Sequence, residues 1–223
     1  MRRKNVLANG GIYHVFNKSI AGYKIFISKG DFIRMRRMLV YYRISNMPMQ
    51  FSNFMHLSSV KSEGFEQILK SMCDGSENLV QIIAYCIMPT HFHFILKQLR
   101  NNGITKFIGN LLNSYSRYFN LKRKRKGPLW VGPFKNVPVK TDEQLMHLTR
   151  YIHLNPVTAS LVKKPNEWIA SSYAEYIGLS EPEDRICDYD GLLSIDCDQY
   201  KTFVFDGIGY QKELLKIKTL LFD

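Results

Sequence analysis

His91-Phe92-His93 is the most chemically suggestive tripeptide in the chain. If it lies on a β-strand, residues two apart project to the same face, so both imidazoles point one way while Phe92 points into the opposite layer. Two convergent imidazoles form half of a metal site, although such a pair can also serve only local hydrogen bonds. Tyr151 and Asn155 stand four residues apart in a helical stretch and share a face. A phenol and an amide oxygen aimed together could meet the two imidazoles, and the Asn oxygen can complete a His, His, O set for a hard divalent cation. The same two residues also read as a core tyrosine and a helix cap ahead of Pro156.

A third group is basic and aromatic. Tyr115, Arg117 and Tyr118 lead into Lys122-Arg123-Lys124-Arg125-Lys126, with Trp130 and Lys135 following. Lysine and arginine neutralise phosphates, and aromatic rings stack on unpaired bases. The alternative is a solvated charge run closing a helix. The whole chain carries 31 Lys and Arg against 19 Asp and Glu, a formal charge of +12, which favours a polyanionic partner, nucleic acid first. A ribosome-associated protein would have the same balance.

These residues need a scaffold. Gly10 to Asn17 reads as a strand opened by glycines. Tyr23 to Phe26 reads as a short second extended piece. Asp31 reads as the cap of a helix to about Ile44, burying Phe32, Met35, Met38, Leu39 and Tyr42. In the stretch 45–78, Met49 to Leu57 reads as extended and Gly64 to Met72 as a short helix. Val80 to Met88 and His91 to Leu96 form the strongest strand signal, with a break at Pro89, which cannot donate to a ladder. Ile104 to Asn120 has helical periodicity. Leu129 to Val131 and Asn136 to Val139 read as short strands. Thr141 with Gln144 is a capping box for a helix carrying Tyr151, expected to end at Asn155 because Pro156 disfavours helix in the residue before it.

The composition bounds the class. With 223 residues and 45% hydrophobic content, one sizeable core is expected, with no linker dividing it. No run is apolar enough to span a bilayer or to act as a signal peptide, so no membrane partner is expected and the reading is cytoplasmic. Cys73, Cys86, Cys187 and Cys197 form no C-x-x-C pair and read as buried thiols in a reducing compartment.

Several separated motifs occur in a telling order. They are Gly11-Ile12-Tyr13-His14-Val15, Ile25-Phe26, Ala84 through His93, Tyr118-Phe119-Asn120, Gly127 to Trp130, Phe134-Lys135, Arg150 through Val157, and Trp168 with Ser171-Ser172. From about residue 10 to 173 this series resembles the REP-associated branch of the single-tyrosine HUH transposases. The resemblance implies a ferredoxin-like α+β fold, an antiparallel sheet flanked by helices. It implies that His91 and His93 are metal ligands, that Tyr151 is the nucleophile, and that Asn155 occupies the third-ligand position, where the family's older branch has Gln. Thr90 stands where many relatives have Asn or Glu. Residues 1–179 are expected to form the transposase-like domain, with 45–78 as an insertion, and 180–223 an acidic C-terminal extension.

The activity implied is metal-dependent cleavage and strand transfer on single-stranded or hairpin DNA through a 5′-phosphotyrosine. Two other readings stay open: a nucleic-acid-binding protein without catalysis, and a nuclease that uses water with Tyr151 structural. Tyr115 and Tyr118 are rival nucleophiles. Monomer and homodimer are both compatible with the sequence.

Overall fold

The computed structural model describes residues 6–73, 75–211 and 213. Its sheet has four antiparallel strands: β1 (Ile12–Lys18), β2 (Val80–Ile87), β3 (His91–Gln98) and β4 (Lys135–Val139), in the order β2-β3-β1-β4. Between β1 and β2 lie α1 (Lys29–Tyr42) and three short helices, α2 (Phe51–Phe54), α3 (Ser58–Glu63) and α4 (Phe65–Met72). Between β3 and β4 lies α5 (Gly103–Lys122). This β-α-β-β-α-β order with the first and third strands central is the ferredoxin-like arrangement expected from the motifs. Beyond β4 come α6 (Asp142–Thr158), α7 (Tyr173–Tyr176) and α8 (Cys197–Asp206).

Strand alternation divides the sheet into two faces. Tyr13, Val15, Phe92, Phe94 and Leu96 are buried on one face, beneath α1 and α5, whose Met35, Leu39, Phe107, Leu111 and Tyr115 fill the core. The opposite face carries His14, Phe16 and Lys18 from β1 and His91 and His93 from β3. There α6 packs on β2 and β3.

Several local features depart from the sequence reading. Ser28, not Asp31, caps α1. Asp31 sits at the third helical position and returns the bond, its Oδ2 accepting from the Ser28 backbone N–H at 2.8 Å. Tyr23 to Phe26 is not a strand; it is pinned by Pro89, whose carbonyl accepts from the amides of Ile25 and Phe26 at 2.8 and 3.1 Å. Phe51 to Phe54 is a turn of helix rather than an extended piece, because Phe51 and Phe54, three apart, both drop into one pocket beside Tyr41 and Phe65. Of Leu129 to Val131, only Trp130 makes a bridge, to Ser19. Helix α6 continues through Pro156 to Thr158. Proline removes one amide bond there, but the last turn is held by Ala159 N–H to the Asn155 carbonyl at 2.9 Å and by the Thr158 hydroxyl to the Leu154 carbonyl.

The break at Pro89 is a tight hairpin between β2 and β3, with Met88 and His91 exchanging backbone bonds. Glycine is required at 103, where a Cβ would collide with the Leu79 carbonyl as α5 starts against β2. The edge of β2 is covered rather than exposed. Ser172 N–H donates to the Tyr85 carbonyl, Ile87 N–H to that of Ala170, and Asp188 N–H to that of Ile82.

The part of the extension from Ile186 to Val204 therefore joins the same core. Ile186, Cys187, Tyr200 and Val204 are buried, and the Ile186 and Cys187 amides close on the Glu175 carboxylate at 3.0 and 2.8 Å. Three of the cysteine positions fit the expectation of enclosed thiols in whole or part, while Cys197 is exposed; all four are free. No helix among the described residues is long and apolar enough to cross a membrane.

Candidate active site

The two imidazoles of β3 face the same way because strand geometry forces it. Their ring centroids are 5.1 Å apart at 90°. The Thr90 hydroxyl is 2.9 Å from His91 Nδ1, which fixes that ring from the hairpin turn. His93 is held from the neighbouring strand, where His14 Nε2 lies 2.9 Å from its Nδ1. The sequence reading of site residues omitted His14. It enters because β1 pairs with β3 in a register that sets Phe16 opposite His93, bringing His14 one step along the same face. Strand alternation within Tyr13-His14-Val15 was the available signal, but it needed the register to become useful.

Burial controls the protonation of all three rings. It lowers His14 to about 4. It lowers His91, aided by the Lys18 charge, and it holds His93 well below the ordinary histidine value, with His14 and His91 contributing. At neutral pH these are neutral imidazoles carrying a lone pair each, the form in which histidine binds metals.

Helix α6 delivers Tyr151 to this group. Its ring stands edge-on to His93, centroids 5.9 Å apart at 85°. Tyr151 is 37% exposed, so a substrate can reach it. Burial of the rest of the ring, with Cys86 below, raises its pKa. One turn on, Asn155 is buried, and its amide Nδ2 has no hydrogen-bond partner among the described residues. Helix α6 is anchored from behind by His153. This ring is fully buried, with Nδ1 2.7 Å from the Tyr200 hydroxyl of α8 and Nε2 2.8 Å from Ser172 Oγ. Burial lowers its pKa to about 3. Its ring therefore faces away from the candidate site.

The rival tyrosines are committed elsewhere. Tyr115 is buried and its hydroxyl donates to the Ile25 carbonyl at 2.7 Å. The Tyr118 hydroxyl donates to Asp31 Oδ1 at 2.8 Å and accepts from Lys122 Nζ at 2.8 Å.

Just under half of the chain matches a known family model. Residues 47–155 match the model of the IS200-like transposases. That is the wider group to which the ordered motifs pointed, and the matched span contains His91, His93, Tyr151 and Asn155. No curated protein matches the chain. Among solved structures, the fold of this chain is similar to one described as "Structure of the REP associates tyrosine transposase bound to a REP hairpin". The likeness covers 87% of this chain and 98% of that one, at 15% identity and a TM-score of 0.51. At that identity it speaks for the fold.

The basic residues divide by what they touch. Lys122 is paired with Asp31 at 2.6 Å. Arg125 ties its own loop together through Asn120 Oδ1 and the Pro128 carbonyl. Arg123, Lys124, Lys126 and Lys135 are exposed. The loop reaches the site's end of the sheet, since Trp130 bridges Ser19, next to the Lys18 that pairs with His91. Trp130 is half-buried, with its ring among Phe26, Phe92 and Tyr115 and its indole N–H on Ser116 Oγ at 3.0 Å. These contacts make it a prop for the loop, with little ring left for base stacking. Arg117 points from the outer side of α5, its guanidinium 3.4 Å from Gln50 Oε1.

Proposed function

We propose that the chain is a metal-dependent single-stranded DNA endonuclease and strand transferase that acts through Tyr151. The observation that carries this reading is the placement of an accessible tyrosine edge-on to a histidine pair, in a chain matching the IS200-like transposases. The similar solved structure is that of a transposase bound to a REP hairpin; single-stranded or hairpin DNA is the proposed substrate class here, cytoplasmic in location.

His91, His93 and Asn155 are the proposed holders of a divalent cation, Mg²⁺ or Mn²⁺. One observation supports the fit: the two imidazoles of β3 share a face and are neutral donors. Among the described residues no group of three or more His, Cys, Asp or Glu could hold a metal; the Asn155 side-chain oxygen is the proposed third donor. When bound, the cation would polarise the scissile phosphate and offset charge in the transition state. His14 is proposed as a positioning residue. With His93 Nδ1–H donating to His14 Nε2, the His93 Nε2 lone pair is left for the cation.

Tyr151 Oη attacks phosphorus, forming an O–P bond as the bond to the 3′-oxygen breaks. The products are a 5′-phosphotyrosine and a free 3′-OH. The burial that raises the Tyr151 pKa keeps the phenol protonated before attack, so its proton leaves to water through the exposed edge as the new bond forms. A second 3′-OH can reverse the step and join a new strand. Lys18, Lys135, Arg123, Lys124 and Lys126 border the site with positive charge for the DNA backbone.

The test is a denaturing gel of the full chain with end-labelled single-stranded hairpin oligonucleotides and Mn²⁺. A slow, protease-sensitive DNA band that disappears in Tyr151→Phe and His91→Ala establishes the tyrosine mechanism. Cleavage that survives Tyr151→Phe moves the nucleophile to water. A shifted but uncut oligonucleotide favours binding without catalysis.

A further inference from the structure

The helical face of the molecule, away from the histidines, contains a second charged feature. A cleft of about 1050 Å³ opens between the outer side of α5, the end of α1 and the segment 46–56 that leads into and through α2. Its α5 wall is built from residues spaced by three and four, including Lys106, Asn110, Asn113 and Arg117, which puts them on one stripe. From α1 comes Arg34. Among the described residues none lining the cleft is Asp or Glu, while amides and hydroxyls surround the cations. That composition is unusual for a surface where charges of both signs are normally interspersed.

Arg34 is the most informative member. Its guanidinium lies over the Tyr118 ring at 4.2 Å and over the Phe51 ring at 5.0 Å. Its Nε is buried with no hydrogen-bond partner, and the side chain has no ion-pair partner among the described residues. A guanidinium fixed by two rings and left without an anion is pre-organised to receive one. Arg117, on the facing wall, is hydrogen-bonded to the neutral Gln50 side chain. Among the described residues no carboxylate in the cleft neutralises these cations, and the spaced amides offer further donors to phosphate oxygens.

We propose that this cleft binds the phosphate backbone of DNA, as an anchoring site separate from the catalytic face. The proposal rests on the reading of DNA as substrate. It adds a second contact, formed with the segment 46–56, on the side of the sheet opposite His91 and His93. A row of phosphates fits the elongated stripe of α5 better than a single small anion does, because Lys106 and Arg117 are three helical turns apart, about 16 Å along the axis.

The test measures fluorescence anisotropy of a labelled DNA hairpin with a single-stranded flank, across a salt series. The protein is the full chain carrying Tyr151→Phe, without metal, so that no covalent step contributes. Lys106→Gln with Arg117→Gln, both on the exposed side of α5, is expected to weaken binding roughly tenfold and to flatten the logarithmic salt slope by about 1.5. Asn110→Glu, which places a carboxylate in the cleft, is expected to weaken binding as well. Unchanged affinity and slope in both variants would overturn the anchoring site while leaving the nuclease reading intact. Failure of the parent protein to bind DNA would sink both. Competition by millimolar inorganic phosphate equal to that by unlabelled DNA would reassign the cleft to a free anion. Tighter binding of an RNA of the same sequence through the same residues would reassign it to RNA.

Discussion

The Tyr151 phenol meets His93 edge to face, with ring centroids 5.9 Å apart and planes at 85°. The partners come from a helix and a strand separated in sequence, and each is fixed by a third residue. His93 is held by His14 across the sheet. The Tyr151 helix is held by the His153 bonds to Tyr200 and Ser172. The candidate nucleophile therefore sits on a rigid support while its own side chain remains accessible.

Replacing Tyr151 with Phe is expected to abolish the covalent DNA adduct and lower cleavage at least roughly a thousandfold. Among the described residues the hydroxyl has no hydrogen-bond partner, so the melting temperature should hardly change. Denaturing gels and a thermal melt on one preparation check both. Wild-type cleavage by the variant would remove Tyr151 from the chemistry.

His14→Ala is expected to weaken divalent-cation binding about 10- to 100-fold by freeing the His93 ring, the magnitude typical of a lost outer-shell partner. Titration calorimetry with Mn²⁺ measures this without reference to cleavage. Unaltered affinity, in a variant that still folds, would show that His14 does not orient His93.

Asp31 supplies a pH dependence. Burial alone would raise its pKa, but hydrogen bonds from Lys122, the Ser28 backbone, Tyr118 and the Ile27 backbone outweigh burial and hold it below the usual carboxylate range. A depressed folded-state pKa stabilises the protein above the unfolded value, near 4, and that contribution fades as pH falls toward the folded value. Asp31→Asn should cost about 1–3 kcal/mol at pH 7, with the gap to wild type closing at pH values below about 4. Urea unfolding at neutral and acid pH would reveal it. A constant gap across that range contradicts the account.

The C-terminal extension should be integral to stability. Tyr200→Phe removes a 2.7 Å hydrogen bond to the buried His153 and should cost about 1–3 kcal/mol. In a chain of this size each kcal/mol lowers the melting temperature by about 2–4 °C. A melt that does not shift would mean that α8 is not coupled to α6 as the packing indicates.

Local order was legible in the chain. Helical periodicity located α1, α5 and α6, and Thr141 marked the true cap of α6. The alternation in His91-Phe92-His93 correctly assigned opposite faces to its members, because a strand's two-residue repeat is independent of the rest of the fold. Pro89 was correctly taken as a break. The resemblance in the spaced motifs led to the ferredoxin-like arrangement.

Contacts distant in sequence settled the remainder. Whether Phe51 and Phe54 joined a strand or a helix depended on the aromatic pocket of Tyr41 and Phe65. Pro156 stayed within α6 because tertiary packing and side-chain bonds outweighed the loss of one amide. Asp31 looked like a cap, yet serves as a hub for Ser28, Tyr118 and Lys122, two of them contributed by α5. Trp130 looked like a stacking surface until the folded chain put three aromatic rings around it. His14 carried no mark of a role by itself. Only the β1–β3 register, which depends on every pair along both strands, set its Nε2 against His93. Periodicity reports which way a side chain points relative to its own element, while the partner it meets is decided by how elements far apart in the chain are packed and aligned.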